Sequence, residues 1–136
     1  MMKCVIIIDE DLPLGLIANT AAVLSLSLGH KIENLIGHDL KDSEGNQHVG
    51  ITTTPIPILK GDSSTIKTIR HKLFENAFDD VFVVDFCNVA QETKTYDDYS
   101  ARLENMPIEK LLYLGIAMYG PKKKVNQLTG NMGLLK

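Results

Sequence analysis

The sequence predicts an α/β protein, a three-layer α/β/α sandwich on a mixed, mostly parallel sheet, formed as one domain over residues 1–136. Three observations predict it. Short β-branched or apolar runs (Val5 to Ile8, Val81 to Val84, Leu111 to Met118) alternate with segments of helical periodicity. Those runs are apolar on consecutive residues, so both faces of the sheet need cover. A chain of 136 residues fits one domain and leaves little room for two.

The first strand is Lys3 to Asp9, ended by the acidic turn Asp9-Glu10-Asp11 and by Pro13. A helix over Pro13 to Leu28 follows, with Asp11 as its N-cap, proline in the first turn and Gly29 as its stop. Almost uncharged from Leu14 to Leu28, this helix is expected to be buried on most sides. Its small residues Gly15, Ala18, Ala21 and Ala22 suit close approach to a sheet or to a second subunit. Leu35 to Leu40 and Gln47 to Thr53 can pair as a hairpin across the turn Asp42 to Asn46.

Thr52 to Leu59 has strand composition, but Pro55 and Pro57 remove two donors from one side of it. That places it at a sheet edge, or where the sheet opens beside a cleft. Ser63 to Phe78 reads as an amphipathic helix. Ile66, Ile69 and Leu73, with Phe74 at the margin, form its apolar stripe, and Lys67, Arg70 and Lys72 face water. A strand over Val81 to Phe86, a polar helix over Tyr96 to Asn105, a strand over Leu111 to Met118 and a short helix over Pro121 to Leu128 complete the chain.

Composition narrows function. Fourteen Lys and Arg against seventeen Asp and Glu give a net charge of -3, which argues against a nucleic-acid-coating protein. No apolar run approaches the ~20 residues that span a bilayer, and Val5 to Ile8 is too short for a signal-peptide core. Two distant cysteines form neither a disulfide framework nor a zinc site. A cytoplasmic protein without metal or other cofactor is therefore expected.

Ligands in open α/β sheets bind where strands end and helices begin. Asp9 closes the first strand there, beside the electropositive start of the first helix, although Glu10 and Asp11 equally suit turn and capping roles. Asp85 stands at the end of the apolar run Val81 to Val84, where an unpaired buried carboxylate is costly. It either serves a site or caps a turn with Asn88. Cys87 shares a face with Asp85 and reads as a small packed residue, as does Cys4, because no base can be placed beside either thiol. His38 and His48 meet across the hairpin near Asp39 and Asp42, in a spacing that matches no metal signature. Asn19 and Thr20 interrupt an apolar helix, so they bond to backbone or face a ligand. Lys122-Lys123-Lys124 is a basic run at a helix start, where it opposes the dipole.

The tail from Leu114 to Gly130 resembles the ending of the second class of peptidyl-tRNA hydrolases, and the order of elements agrees with theirs. A closer resemblance, over nearly the whole chain, is to the bacterial family named domain of unknown function 2000. The residues that carry it are Ile8-Asp9-Glu10-Asp11-Leu12-Pro13-Leu14-Gly15, Asn19, the Asp42-to-Gly45 turn with His48, and Tyr119-Gly120-Pro121-Lys122-Lys123. The hydrolase resemblance implies a shared fold, a homodimer with the first helix as candidate interface, and ester or amide hydrolysis. Gly15 matches the hydrolases' Gly-Lys, but Leu16 replaces the Lys, Thr20 and Val23 stand where a Gln and a His are found, and only the strand-end Asp carries over, as Asp85.

An active site would gather Asp9, Gly15, Asn19, Thr53 or Thr54, and Asp85, with Asn88 close by. Asp85 would act as general base or orienting carboxylate, Asn19 as donor to a carbonyl or oxyanion, and Asp85→Asn would abolish turnover with the fold intact. The alternative is a non-catalytic module that binds a small molecule or pairs as a dimer. Surroundings of Asp85 separate these readings: a basic groove fits a nucleic-acid ester, a closed neutral pocket a small ligand, a flat apolar surface a protein.

Overall fold

The computed structural model describes residues 1–136. Strand β1 (Met2–Asp9) is its centre, with Cys4 to Ile8 fully buried. β1 pairs in parallel with β4 (Ile58–Gly61) and antiparallel with β6 (Tyr113–Pro121), and β6 pairs antiparallel with β5 (Phe82–Cys87). The sheet order is β4-β1-β6-β5. Strands β4, β1 and β5 therefore point one way and β6 runs against them. The expected mostly parallel sheet holds for strand direction but not for pairing. The last strand inserts between β1 and β5, so two of three neighbour pairs are antiparallel.

Period-two alternation divides the apolar side chains between two cores. Val5, Ile7, Ile116 and Met118 meet Ile66 and Ile69 of α2 (Ser63–Lys72) and Val125 of α5 (Lys122–Thr129). Cys4, Ile6, Ile8 and Ala117 meet Leu24 and Leu28 of α1 (Leu14–Lys31). Each such aliphatic side chain contributes about 1.5–3 kcal/mol when fully buried. Gly115 lets α1 lie close to the sheet: a Cβ there would stand 2.8 Å from Thr20 Cγ2 and 2.9 Å from the Ile7 carbonyl oxygen.

Several local expectations are corrected. Asp11 does not cap α1. Its N–H donates to Asp9 Oδ1 at 3.0 Å, and the helix is entered from Pro13 with no side-chain cap. Gly29 does not stop the helix, which runs on to Lys31 with Gly29 packed beside Ile36. Nor is α1 buried on most sides. Only Thr20, Leu24 and Leu28 are buried, while Leu14 and Leu26 are 82% and 78% exposed, because one face meets the sheet and nothing covers the other. Helix α2 ends at Lys72, and a short 3₁₀ turn (Asn76–Phe78) returns Phe78 to the core. Asp62 caps α2, its Oδ1 accepting from Thr65 N at 2.7 Å.

A short helix α3 (Asn88–Glu92) lies between β5 and α4 (Tyr96–Asn105), the latter with the expected bounds. The strand placed at Thr52 to Leu59 begins only at Ile58, after the donor-poor prolines. It is a sheet edge, as those prolines predict. Its outer side is covered by the chain's own tail, where Lys60 N donates to Gly133 O at 3.0 Å and Leu135 N to Ile58 O at 2.9 Å. The expected hairpin pairs at its tip, β2 (Leu40–Lys41) against β3 (Gln47–His48), and again at its base, where Ile36 bridges Thr52 and Thr53 N donates to Leu35 O at 2.8 Å. No helix is long and apolar enough to cross a membrane.

Candidate functional site

Alternation along β5 turns Val83, Asp85 and Cys87 toward the α2 side of the sheet. There Arg70 Nε donates to Asp85 Oδ2 at 2.7 Å, with side-chain exposures of 11% for Arg70 and 23% for Asp85. Charge-assisted bonds of this length are among the stronger ones, and screening by water is weak at such burial. The guanidinium also stacks on Phe74, with Cζ 3.9 Å from the ring centroid. Arg70 was expected to face water and does not. It follows Ile66 by one helical turn, so it lies beside the stripe that packs on the sheet. That spacing was the available signal for a residue the sequence reading missed. Phe74, expected at the margin of the stripe, is 62% exposed and acts as the outer cover of the guanidinium.

Tyr99 of α4 and Tyr113 of β6 border the same cluster. Burial pushes the Tyr99 phenol up to about 12, with Cys87 and Asp85 adding to the effect. Burial also raises Tyr113, helped by the Asp85 charge and opposed by Arg70. Neither tyrosine stood out in the sequence, because what marks them is proximity across the fold. Cys87 is buried beside them at the N-terminal boundary of α3 without a side-chain capping bond, and Cys4 is core, its thiol pushed up to about 11 by burial.

Two hollows flank Asp85. One, of about 250 Å³, lies between Arg70, Asp85, Leu103, Ile108, Leu111 and Tyr113, with Phe74 at its edge. The other, of about 380 Å³, follows Val84, Asp85 and Phe86 along β5 and is bounded by Val23 of α1 and Tyr96 of α4. Asp85 is thus held by a guanidinium rather than by main-chain amides, and it borders open space on both sides.

The other expected site residues do not join it. Asp9 accepts from Asp11 N and lines neither hollow. Gly15 and Asn19 lie exposed on α1, across the sheet from the Asp85 carboxylate, and Leu16 packs toward the α1-side core. Thr53 ties the hairpin base, its hydroxyl donating to Leu35 O at 3.1 Å. Thr54 borders a different hollow, beside Lys3 and Cys4 near the start of β1. Asn88 is a clamp: its Oδ1 accepts from Leu112 N at 3.1 Å and its main-chain N–H donates to Leu112 O at 2.8 Å. The gathered constellation is corrected accordingly. Asp9 shares Asp85's face and end of the sheet but lies two strands away, Gly15 and Asn19 are on α1 across the sheet, and Thr54 is near the start of β1, an arrangement that local spacing does not encode.

Elsewhere, His48 Nε2 and Asp42 Oδ2 lie 2.9 Å apart on the exposed hairpin, and His38 bonds the Asp39 carbonyl instead of joining them. No group of three His, Cys, Asp or Glu side chains comes together in a metal-binding arrangement. Lys124 is engaged by Asp80 at 2.8 Å. Thr20, buried on α1, donates to Leu16 O at 2.7 Å and so takes the backbone role.

Comparison with known proteins agrees with this architecture. A family model described as protein of unknown function (DUF2000) matches residues 2–136. No curated protein matches the chain. Among solved structures, the protein of unknown function Atu0240 from Agrobacterium tumefaciens strain C58 superposes with a TM-score of 0.86 at 19% identity, covering 98% of this chain and 96% of that one. At that identity the likeness is one of fold.

Proposed function

Because the chain belongs to the DUF2000 family of proteins of unknown function, we propose its activity from the Asp85 cluster: a non-catalytic domain that binds a small molecule beside the Asp85–Arg70 pair. The observation that carries this reading is a charge pair at 2.7 Å, largely out of water, between two bounded hollows. Concave, mostly apolar space with a few convergent polar groups is what small-ligand sites are made of.

Charge supports a small ligand over a polyanion. Among the residues lining the two hollows only Arg70 and Lys94 are basic, and Arg70 is already matched by Asp85. Hydrolysis fits less well. Leu16 stands where the hydrolases' Lys is found, and the only sulfur nearby, on Cys87, is 1% exposed. The uncharged outer face of α1, with Leu14, Ala18, Ala22 and Leu26 exposed, supports the homodimer as the working assembly, and the cytoplasm remains the proposed location.

A thermal-shift screen of small metabolites tests this, because a ligand that binds only the folded state raises Tm. Amide chemical shifts then locate each hit. Hits that map around Asp85 are expected. Hits that consistently map elsewhere, or turnover of peptidyl-tRNA that Asp85→Asn abolishes, overturn the reading.

A further inference from the structure

Arginine carries five N–H donors in a fixed fork. In Arg70 only Nε is used, and the bond to Asp85 is single rather than the two-pronged form such pairs adopt when both carboxylate oxygens engage. Nη1 is sealed from solvent yet has no acceptor in the protein. A buried donor left unmade costs about 1–3 kcal/mol, and native structures rarely tolerate it. On the carboxylate side only Oδ2 is bonded. The pair therefore leaves one donor end and one acceptor oxygen, and both residues line the 250 Å³ hollow. Its other walls are Phe74, Leu103, Ile108, Leu111 and Tyr113, which are aromatic or aliphatic, and the thiol of Cys87.

Formal charge decides what such a site takes. Arg70 and Asp85 cancel, so a bound anion or cation would leave a net charge in a poorly solvated hollow, which is costly. A neutral group with a C=O next to an N–H would meet the donor and the acceptor together and leave the hollow neutral. We propose that this hollow binds an uncharged, flat primary amide or lactam. Its carbonyl accepts from the terminal nitrogens of Arg70, its N–H donates to Asp85 Oδ1, and its apolar body lies against Leu103, Leu111 and Tyr113. Phe74, 62% exposed and stacked on the guanidinium, walls the outer side of the hollow. This rests on the small-ligand reading above and narrows it to one hollow and one ligand chemistry.

The test pairs benzamide with benzoate, which share size and shape but differ in charge. Each is titrated into the full chain while the Arg70 Nε–Hε resonance and the amides of Cys87 and Leu111 are followed by NMR. Benzamide is expected to shift these signals saturably, with benzoate at least about tenfold weaker, a difference of about 1.4 kcal/mol. Arg70→Gln is expected to abolish the benzamide shifts. Because that variant disturbs a buried pair, Ile108→Trp serves as a second one. Ile108 is 55% exposed, so the change fills the hollow without opening the core, and it too should abolish them. Benzoate binding as tightly as benzamide, benzamide binding unchanged in Ile108→Trp, or shifts confined to the Tyr96 side overturn this inference and leave the small-ligand reading standing. If neither probe nor any screened metabolite moves a signal around Asp85, the reading itself fails and takes the inference with it.

Discussion

Replacing Asp85 by alanine strips Arg70 of its one acceptor while leaving the guanidinium pressed between β5 and Phe74. Fully exposed ion pairs contribute about 0.2–1 kcal/mol, whereas removing one partner of a buried pair costs about 3–5 kcal/mol. With side chains 11% and 23% exposed, this pair lies nearer the buried limit, so Asp85→Ala should cost about 3 kcal/mol. For a domain of this length that lowers Tm by about 10 °C. Asp85→Asn keeps a neutral acceptor of nearly the same shape and should cost about 1 kcal/mol. Arg70→Met with Asp85→Leu removes both charges and fills the space with apolar atoms, and should return to within about 1 kcal/mol of the parent. Urea unfolding of the parent, Arg70→Met, Asp85→Leu and the double variant at neutral pH, with the slope checked for constancy, gives the four corners of the cycle. A coupling energy under about 0.5 kcal/mol would mean that water screens the pair. The claim that it is a desolvated feature of the site would then be wrong.

Three further outcomes are expected. Gly115→Ala should destabilise by about 1–3 kcal/mol through overpacking, since the new methyl meets a backbone carbonyl at 2.9 Å that cannot swing away; calorimetry showing an unchanged Tm would contradict the close α1–sheet contact. Asp42 is held down to about 2, chiefly by the hydrogen bond to His48 and then by backbone N–H groups. A depressed carboxylate gives the hairpin stability that is present above the ordinary range near ~4 and is lost as pH falls toward about 2. In His48→Ala an NMR titration should show Asp42 moving up toward its ordinary value, and no movement would remove His48 as the cause. Leu26→Asp, on the exposed face of α1, should convert the proposed dimer to monomer in light scattering while the far-ultraviolet spectrum stays unchanged. A dimer that survives the change places its interface elsewhere.

The elements of this protein were legible because each is written into a few neighbouring residues. The β-branched run Val5 to Ile8 declares a strand covered on both faces, the 3-4 spacing of Ile66, Ile69 and Leu73 declares a helix face, and two missing N–H groups at Pro55 and Pro57 declare an edge. Asp85 was legible for a related reason, since a carboxylate closing an apolar run must find a partner. Which partner it finds was not. Arg70 lies 15 residues away on another element, and only the packing of α2 over β5 brings the two together. Tertiary structure likewise decided that β6 inserts between β1 and β5, that residues 133–135 cover the edge of β4, and that Asn19 and Asp85 occupy opposite sides of the sheet. Periodicity is a local property of the chain, whereas strand order and the pairing of charges are settled by competition among distant surfaces for the same buried space.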